Sequence, residues 1–411
     1  MTDTIANRPQ HDAPLASPIA GNGVTRSGAQ RLDAIDMLRG LVICIMVLDH
    51  VRDYWHHSGQ TDPLDLATTN PWLFLTRLIT HFCAPTFVFL AGVSAYLQYE
   101  RGKTGWDLSR FLLTRGLWLI LLELTVVNVA WQFWGYSIVF LQVIWAIGVS
   151  MVVLAGACRL PVKVVLALGV AIIVGHNALD GITPETFGPF APVWMFLHQA
   201  GATPVGGIPV LFAYPVLPWI GVMMFGFGFG RVFSLPEARR RRVLTVVGLS
   251  MIAAFLILRG LQIYGDPGTW QVQDALWKTV GDFVDVQKYP PSLDYVLMTL
   301  GPVFVLIPWL ERVRGPVAAF LLPFGRAPLF AYVPHIYIAH ALALVCAVAM
   351  GFPMSALVNP FFAPNDATRA WGLPLLGVYG VWLLVLALLY LPVRWFAGVK
   401  ARRRDWWLGY L

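Results

Sequence analysis

Two ionisable residues in the first apolar segment, Arg39 and His50, have types and a spacing that could do proton-transfer chemistry. They are eleven residues apart, and at about 100° per residue this puts both side chains on one face of a helix. The rise between them is roughly 16 Å, about half of the hydrocarbon thickness of a bilayer. Asp53 follows His50 by three residues and can lie beside it. A histidine oriented by a carboxylate is the usual general-base pair.

Each of these residues also has a simpler structural interpretation. Arg39 could mark the cytoplasmic boundary of the helix and pair with Asp36. His50 could be an interfacial residue whose ring binds a backbone carbonyl. Because ionisable groups inside a membrane span are costly, they are functional candidates by default. We therefore favour a functional role for His50 with Asp53, and we leave both roles of Arg39 open.

Further histidines fall at membrane depth or at span ends: His81, His176, His198, His335 and His340. His81 lies in the second apolar segment, where a tight antiparallel hairpin would bring it near the level of His50. No HExxH or comparable metal-ligand spacing occurs, so the sequence predicts no metal site. Glu123, inside the third segment, is expected to be neutralised by a neighbouring arginine or histidine.

The elements that must position these residues are membrane helices. Hydrophobic residues make up 57% of the 411 residues and charged residues only 12%, whereas soluble domains carry about 25% charged residues. We therefore predict an all-α fold, a polytopic transmembrane bundle of about ten spans. The predicted spans are residues 36–56, 72–98, 109–130, 137–157, 162–178, 209–232, 243–262, 293–310, 327–350 and 374–396. A re-entrant piece is an open alternative at residues 323–328.

The distribution of basic residues predicts the orientation of the bundle. Most of the 29 lysines and arginines fall in alternate loops, including the run 239–242, so both termini are predicted to be cytoplasmic. The net charge of +7 forms no continuous basic face, which argues against nucleic acid. Residues 1–30 lack the apolar core of a signal peptide and are predicted to be a disordered cytoplasmic tail. Residues 31–398 form the membrane domain, and residues 399–411 a basic cytoplasmic tail.

The predicted outer loops combine carboxylates with aromatic residues. The longest loop covers residues 263–292, and loops of this size are uncommon unless they are functional. Trp55, Trp270 and Tyr289 are therefore candidates for binding a polar, sugar-like molecule. The alternative is that these aromatic side chains anchor helix ends at the membrane interface.

Several stretches resemble one family of membrane proteins. They are residues 31–41 (RLDAIDMLRGL), 46–55 (MVLDHVRDYW), 81–94 (HFCAPTFVFLAGVS), 143–148 (VIWAIG), 176–180 (HNALD), 214–223 (YPVLPWIGVM), 288–293 (KYPPSL) and 324–330 (FGRAPLF). The chain resembles the bacterial domain family of unknown function 1624, which is grouped with the catalytic domain of heparan-alpha-glucosaminide N-acetyltransferase. The resemblance covers nearly all of residues 31–396.

The resemblance implies an acyltransferase. In the wider transmembrane acyltransferase superfamily, enzymes that O-acylate surface polysaccharides carry an arginine, ten residues and then a histidine in the first helix, as Arg39 and His50 do here. The lysosomal member has an amide residue at the position of His50 and a histidine further along. His56 and His57 are the nearby candidates in this chain, so the resemblance leaves the catalytic histidine open.

The implied reaction moves an acyl group, in the simplest case acetyl, from cytoplasmic acyl-CoA to a hydroxyl or amine of a glycan-like acceptor at the outer face. Acyl-CoA is then a co-substrate, and no bound cofactor is expected. The roles implied are a histidine base or acyl carrier, a carboxylate that orients it, cations for the CoA phosphates and side chains for the acceptor. The corresponding residues are His50, Asp53 and His81 for catalysis, Arg39 and Arg326 for CoA, and Trp55, His57, Tyr289 and His335 for the acceptor.

Two other functions stay open at this stage. A proton-coupled transporter or flippase would also use broken spans and ionisable groups near the bilayer midplane, although no repeat symmetry is visible between the halves. A non-catalytic membrane scaffold is the third alternative. The expected location is the bacterial inner membrane, with lipids as partners, no nucleic acid, and a homodimer as an open alternative.

Overall fold

The computed structural model describes residues 22–57, 62–403 and 405–410, with side chains from Asp33 onward. Its first helix begins at Asn22, inside the segment predicted to be a tail. Residues 1–21 lie outside the described residues, so the tail stays a prediction. At the other end, Tyr410 donates a hydrogen bond to Thr114 Oγ1 at 2.9 Å, which attaches the basic C-terminal segment to the bundle.

Helices make up most of the fold. The α-helices are α1 (Asn22–Trp55), α2 (Pro71–Thr80), α3 (Cys83–Glu100), α4 (Gly105–Leu122), α5 (Asn128–Gln132), α6 (Val143–Ala157), α7 (Val162–Gly175), α8 (Ala191–Leu197), α9 (Val216–Phe229), α10 (Glu237–Leu261), α11 (Leu276–Val284), α12 (Leu293–Leu310), α13 (Pro316–Arg326), α14 (Pro328–Ala349), α15 (Asp366–Ala370) and α16 (Leu375–Arg402). A π-helical turn, Glu123–Val127, joins α4 to α5. Short 3₁₀ segments cover Phe133–Gly135, His176–Leu179, Pro184–Phe190, Gly230–Ser234, Met354–Ala356 and Trp406–Gly409.

The predicted polytopic bundle is confirmed. Among the described residues, eight helical stretches are long and apolar enough to cross a membrane: Pro71–Glu100, Gly105–Gly135, Val162–Leu179, Val216–Ser234, Glu237–Leu261, Leu293–Leu310, Pro328–Ala349 and Leu375–Arg402. The apolar helix α6 is shorter. Helix α1 has 34 residues and is long enough to cross in spite of its ionisable side chains. Each of the ten predicted spans therefore overlaps at least one helix.

Three predicted spans are not continuous helices. The second span breaks at His81 and Phe82, between α2 and α3. The predicted spans 137–157 and 209–232 each begin as a strand, β1 (Val139–Leu141) and β3 (Ile208–Phe212). With β2 (Gly201–Val205) they form a sheet of order β1-β3-β2, in which β1 and β3 are parallel and β2 and β3 antiparallel.

A glycine pair explains the sheet's hairpin. Gly206 and Gly207 join β2 to β3, and both have positive φ, 58° and 83°. Two successive left-handed residues make the tight turn whose twist matches that of an antiparallel pair. Apolar composition alone does not reveal this turn, because the flanking strands resemble a continuation of the membrane segment in composition.

Helix α1 lies inside the bundle, in contact with α2, α3, α12, α13, α14 and α16. Its crossing with α13 is very close: a Cβ at Gly40 would stand 2.1 Å from the Leu321 carbonyl oxygen, and one at Gly325 would stand 1.7 Å from that of Asp36. Small residues allow such backbone approaches. Helix α13 has 11 residues, too few to cross a membrane. It ends at Arg326 and so delivers this cation beside the inner part of α1.

The partner of Glu123 differs from the one that the sequence predicted. The sequence predicted an arginine or histidine as its partner. Instead, the buried carboxylate accepts a hydrogen bond from the backbone N–H of Trp145 at 3.0 Å. Trp145 lies in the first turn of α6, where backbone N–H groups have no partner within the helix. Glu123 therefore caps α6 and has a structural role.

Candidate active site

The inner half of the bundle contains a cavity of about 360 Å³. Its walls come from α1, α3, α4, α6, α13, α14 and α16, and most of the lining side chains are apolar. The apolar lining consists of Ile43, Met46, Phe87, Ala91, Ala95, Phe111, Leu112, Leu119, Val143, Ile144, Ile147, Met151, Pro328 and Leu329. A cavity of this size and character suits a small molecule with a flexible apolar part.

Cations gather at the end of this cavity that the sequence predicts to be cytoplasmic, and they are Arg39, Arg115, Arg326 and Lys400. Arg39 pairs with Asp36 at 2.7 Å and also donates a hydrogen bond to Ser94. Arg326 pairs with Asp33 at 2.8 Å. Among the described residues at this end, the three guanidinium groups therefore outnumber the two carboxylates. Arg39 pairs with Asp36, as its structural interpretation predicted, and it also lines the cavity, so its functional role stays a prediction.

Tyr332 lines the same cavity from α14, and its hydroxyl has no hydrogen-bond partner among the described residues although it is buried. A buried hydroxyl without a partner costs free energy unless a ligand satisfies it. Its ring lies 5.5 Å from the ring of His335, one helical turn further along α14. The cavity therefore ends one side chain away from a histidine.

His335 and His50 form a close pair. His50 Nδ1 and His335 Nε2 are 2.6 Å apart, and the two rings stack with centroids at 4.9 Å. The edge of Trp131 covers His50, with ring centroids at 5.0 Å. His335 is fully buried. Since one nitrogen of such a pair must donate and the other accept, the two rings share a proton and can pass it between them.

Asp53, predicted to orient His50, is instead bound to Arg52. The ring partner of His50 is His335, which the sequence analysis had placed in the acceptor site. Arg52 in turn pairs with Asp49 at 2.8 Å. The i,i+3 spacing correctly put Asp53 near His50. It could not reveal that a guanidinium on the adjacent residue takes up the carboxylate.

His81 belongs to a neighbouring polar cluster. Asp49 accepts hydrogen bonds from Arg77 at 2.8 and 2.9 Å and from Thr80 at 2.9 Å. His81 Nδ1 lies 3.1 Å from the Arg77 carbonyl oxygen, and its ring contacts Tyr295 edge-on at 5.5 Å. Of the predicted set Arg39, His50 and His81, only Arg39 lines the inner cavity. His50 adjoins the cavity through His335 and Tyr332, and His81 lies apart.

A small pocket lies on the outer side of His50. It is lined by Asp53, Tyr54, His56, His57, Leu357, Pro360, Thr368 and Trp371. His57 is exposed, and its Nδ1 lies 3.2 Å from the Leu373 carbonyl oxygen. The pocket has a volume of about 10 Å³, far less than the inner cavity. His57 is thus placed where a molecule from the outer face could arrive.

The aromatic residues predicted to bind an acceptor are held by backbone groups or by each other. The indole N–H of Trp55 donates to the Ala339 carbonyl at 3.1 Å, and that of Trp270 to the Arg259 carbonyl at 2.9 Å. Tyr289 packs edge-on against Tyr214 at 5.0 Å. These contacts favour the alternative that aromatic side chains anchor the outer ends of helices.

Sequence reasoning missed Tyr332, Arg115 and Lys400. Tyr332 precedes His335 by three residues, so a common helical face was a usable signal. Arg115 lies inside the third predicted span and could have been treated as an intramembrane cation. Lys400 was counted as part of the basic tail, but α16 continues to Arg402 and brings it to the cavity.

Comparison with known families gives one match. The sequence profile of the family described as heparan-alpha-glucosaminide N-acetyltransferase, catalytic, matches residues 31–265, more than half of the chain. The matched segment contains Arg39, His50 and His81 and ends before α12, so Tyr332 and His335 lie outside it. No curated protein matches the chain.

Proposed function

The chain belongs to the heparan-alpha-glucosaminide N-acetyltransferase catalytic family, and from this premise we propose an acyl-CoA-dependent reaction across the membrane. An acyl group, in the simplest case acetyl, passes from cytoplasmic acyl-CoA to a hydroxyl or amine of a glycan-like acceptor at the outer face. One observation carries the proposal: a cavity with surplus positive charge ends at an unpartnered tyrosine hydroxyl beside a histidine pair. The proposed location is the bacterial inner membrane.

The donor would bind in the inner cavity. CoA carries phosphate groups, and guanidinium groups bind phosphate through paired, charge-assisted hydrogen bonds. Arg39, Arg115 and Arg326 supply such groups at the cytoplasmic end. The narrow arm of CoA would then lie along the apolar wall, with the thioester at the deep end near Tyr332.

Tyr332 would act on the thioester carbonyl. As the carbonyl carbon is attacked, negative charge develops on its oxygen, and a preplaced hydroxyl donor stabilises that charge. The hydroxyl needs no rearrangement, because it has no other partner among the described residues. Removal of one such donor costs about 10²–10³-fold in rate in other enzymes.

The histidine pair would handle the proton. The acceptor O–H or N–H gives its proton to a ring nitrogen of His50, and His335 shares the resulting positive charge through the 2.6 Å contact. The acceptor atom forms a bond to the carbonyl carbon, the carbon–sulfur bond breaks, and CoA leaves as a thiolate that recovers the proton. General-base catalysis of this kind contributes about 10²–10⁴-fold.

The remaining candidates have positioning roles in this proposal. Asp53 holds Arg52, and His81 supports the Asp49–Arg77 cluster next to His50 in α1. His57 faces the outer pocket and would contact the acceptor. The alternative in which a histidine carries the acyl group covalently is distinguished by acid quenching followed by mass spectrometry of the α1 and α14 peptides.

The test uses purified protein in proteoliposomes with radiolabelled acetyl-CoA and a panel of membrane glycans. Wild type should transfer label, and His50→Ala should lower the rate about 10²–10⁴-fold. Lys278→Ala, a change at a partly exposed residue of α11 that forms an ion pair with Asp274, is the matched control and should behave like wild type. If wild type transfers no more label than His50→Ala with every acceptor, the enzyme proposal fails. Proton-coupled solute flux without CoA would then favour the transporter alternative.

A further inference from the structure

A second cluster of ligand-type side chains lies on the outer side of the bundle, away from the histidine pair. His176 begins the 3₁₀ turn that follows α7, Asp180 comes directly after that turn, and His198 follows α8. One ring nitrogen from each histidine and one carboxylate oxygen all lie within 4.8 Å of one another. Two imidazoles and a carboxylate are a ligand set that zinc takes in proteins.

His176 is the strongest indication of a missing ligand. Its side chain is only 2% exposed. The Pro291 carbonyl interacts with one side of the ring, which leaves the other ring nitrogen without a partner among the described residues. Its ring centroid lies 5.4 Å from that of His198. A buried imidazole nitrogen without a partner is costly, and a metal bond would satisfy it.

The other two residues are held in place by their surroundings. His198 Nε2 lies 3.7 Å from Asp180 Oδ1 and 2.7 Å from the His176 carbonyl oxygen, and Trp194 stacks on the ring. Asp180 Oδ2 accepts a hydrogen bond from Asn177 Nδ2 at 2.8 Å. Outer contacts of this kind orient the ligands of metal sites.

We propose that His176, Asp180 and His198 bind a divalent cation of the zinc class. With metal–ligand bonds of about 2.0–2.2 Å in tetrahedral geometry, neighbouring ligand atoms lie roughly 3.4 Å apart. The observed separations therefore require side-chain shifts of about 1 Å. His198 exchanges its hydrogen bond to the His176 carbonyl for the metal bond. Water fills the fourth position.

The site joins three parts of the outer surface. His176 ends the α7 span, and His198 precedes β2. Asn177, which holds Asp180, also accepts a hydrogen bond from the backbone N–H of Leu293 at 2.9 Å, at the start of α12. A bound cation would therefore fix the outer loops relative to α7 and α12. The sequence predicted no metal because His198 is brought to His176 only by the fold.

The first experiment measures zinc in the full chain, purified in detergent without a histidine tag, by plasma mass spectrometry. We expect about one zinc per wild-type chain after incubation with zinc and desalting, and its loss in His198→Ala. His57→Ala removes an exposed histidine on the same side of the membrane and serves as the matched control, which should retain zinc. Equal zinc content in wild type and His198→Ala would overturn the proposal.

The second experiment keeps the proposal testable if a variant misfolds. Titration of metal-free wild type with Co²⁺ should give the visible absorption of a four-coordinate site, saturating at one equivalent, and zinc should displace it. Zinc should also raise the melting temperature of wild type, and Asp180→Asn should weaken the affinity at least tenfold. Absence of the cobalt bands, together with an unchanged melting temperature, contradicts a metal site. None of these readouts depends on acyl transfer.

Discussion

The inner and outer halves of the bundle differ in how far their charged side chains are paired. At the inner cavity, among the described residues, the three guanidinium groups of Arg39, Arg115 and Arg326 outnumber the carboxylates of Asp33 and Asp36. In the outer half of α1, Asp49, Arg52 and Asp53 pair with one another, and Arg77 completes the network. Since unpaired charge at membrane depth is costly, a surplus of charge marks a place where an anionic ligand compensates it.

The buried histidines also differ in the partners of their ring nitrogens. Both ring nitrogens of His340 lie near backbone carbonyl oxygens, at 2.8 Å from Ala130 and 2.5 Å from Leu357, which fixes this ring as part of the scaffold. His50 and His335 instead bind each other. The inner cavity already has room for a donor, whereas the outer pocket is almost filled. In the proposed reaction, an acceptor would therefore have to open the outer side before it could reach His50.

The largest expected effect concerns the histidine pair at the boundary between the halves. His50→Gln and His335→Gln should each lower the transfer rate about 10²–10⁴-fold. Because the two rings act through one shared proton, the double variant should be no slower than the slower single variant. The measurement is the initial rate of acetyl transfer at saturating acetyl-CoA. Additive losses of rate would show that the two histidines act independently and would contradict the proposed sharing of one proton.

The next prediction tests whether the surplus positive charge of the inner cavity binds the CoA phosphates. Arg115→Ala should raise KM for acetyl-CoA about 10- to 100-fold and leave kcat nearly unchanged, because it removes a charged contact to the phosphates. The difference should shrink at high salt. Arg110→Ala, an exposed arginine on the same helix that does not line the cavity, is the control. Equal KM values for the two variants would remove the cavity as the CoA site.

A smaller effect concerns the packing that brings Arg326 to the inner cavity. Gly40→Ala would put a Cβ 2.1 Å from the Leu321 carbonyl oxygen and force α13 away from α1. Overpacking costs about 1–3 kcal/mol, so the melting temperature should fall by several degrees. Gly260→Ala, in α10, meets no atom within 4 Å and should be neutral or slightly stabilising. Differential scanning fluorimetry in detergent measures both, and equal melting temperatures would contradict the close crossing.

The smallest effect concerns an outer carboxylate that forms no ion pair among the described residues, unlike Asp49. Burial, together with Asp62 and Asp266, raises the pKa of Asp285 from its usual 3.8 to about 6. The protonated form is therefore favoured in the folded state, and its contribution to stability is lost as pH rises from about 4 through 6. Asp285→Asn should match wild type near pH 4 and melt about 1–3 °C higher at pH 7. A pH-independent difference would refute this assignment.

Local composition was sufficient to predict the bundle but not its interruptions. Apolar length predicted the spans because a bilayer imposes a fixed thickness on each helix. The strands β1 and β3 were assigned to helices, because an apolar run does not reveal which hydrogen-bond partners its backbone will find. Glu123 was given a charged partner for a similar reason, since the backbone N–H groups of α6 that bind it become available only when the helices pack.

The sequence by itself determined that this chain spans a membrane, which family it belongs to, and that Arg39 and His50 share a face of α1. Helical periodicity and hydropathy decide these properties within single segments. Only the tertiary structure decided that His335, 285 residues from His50, is its partner. It also decided that Tyr332 faces the donor cavity and that His198 meets His176. These contacts join distant segments, and their geometry depends on how whole helices pack.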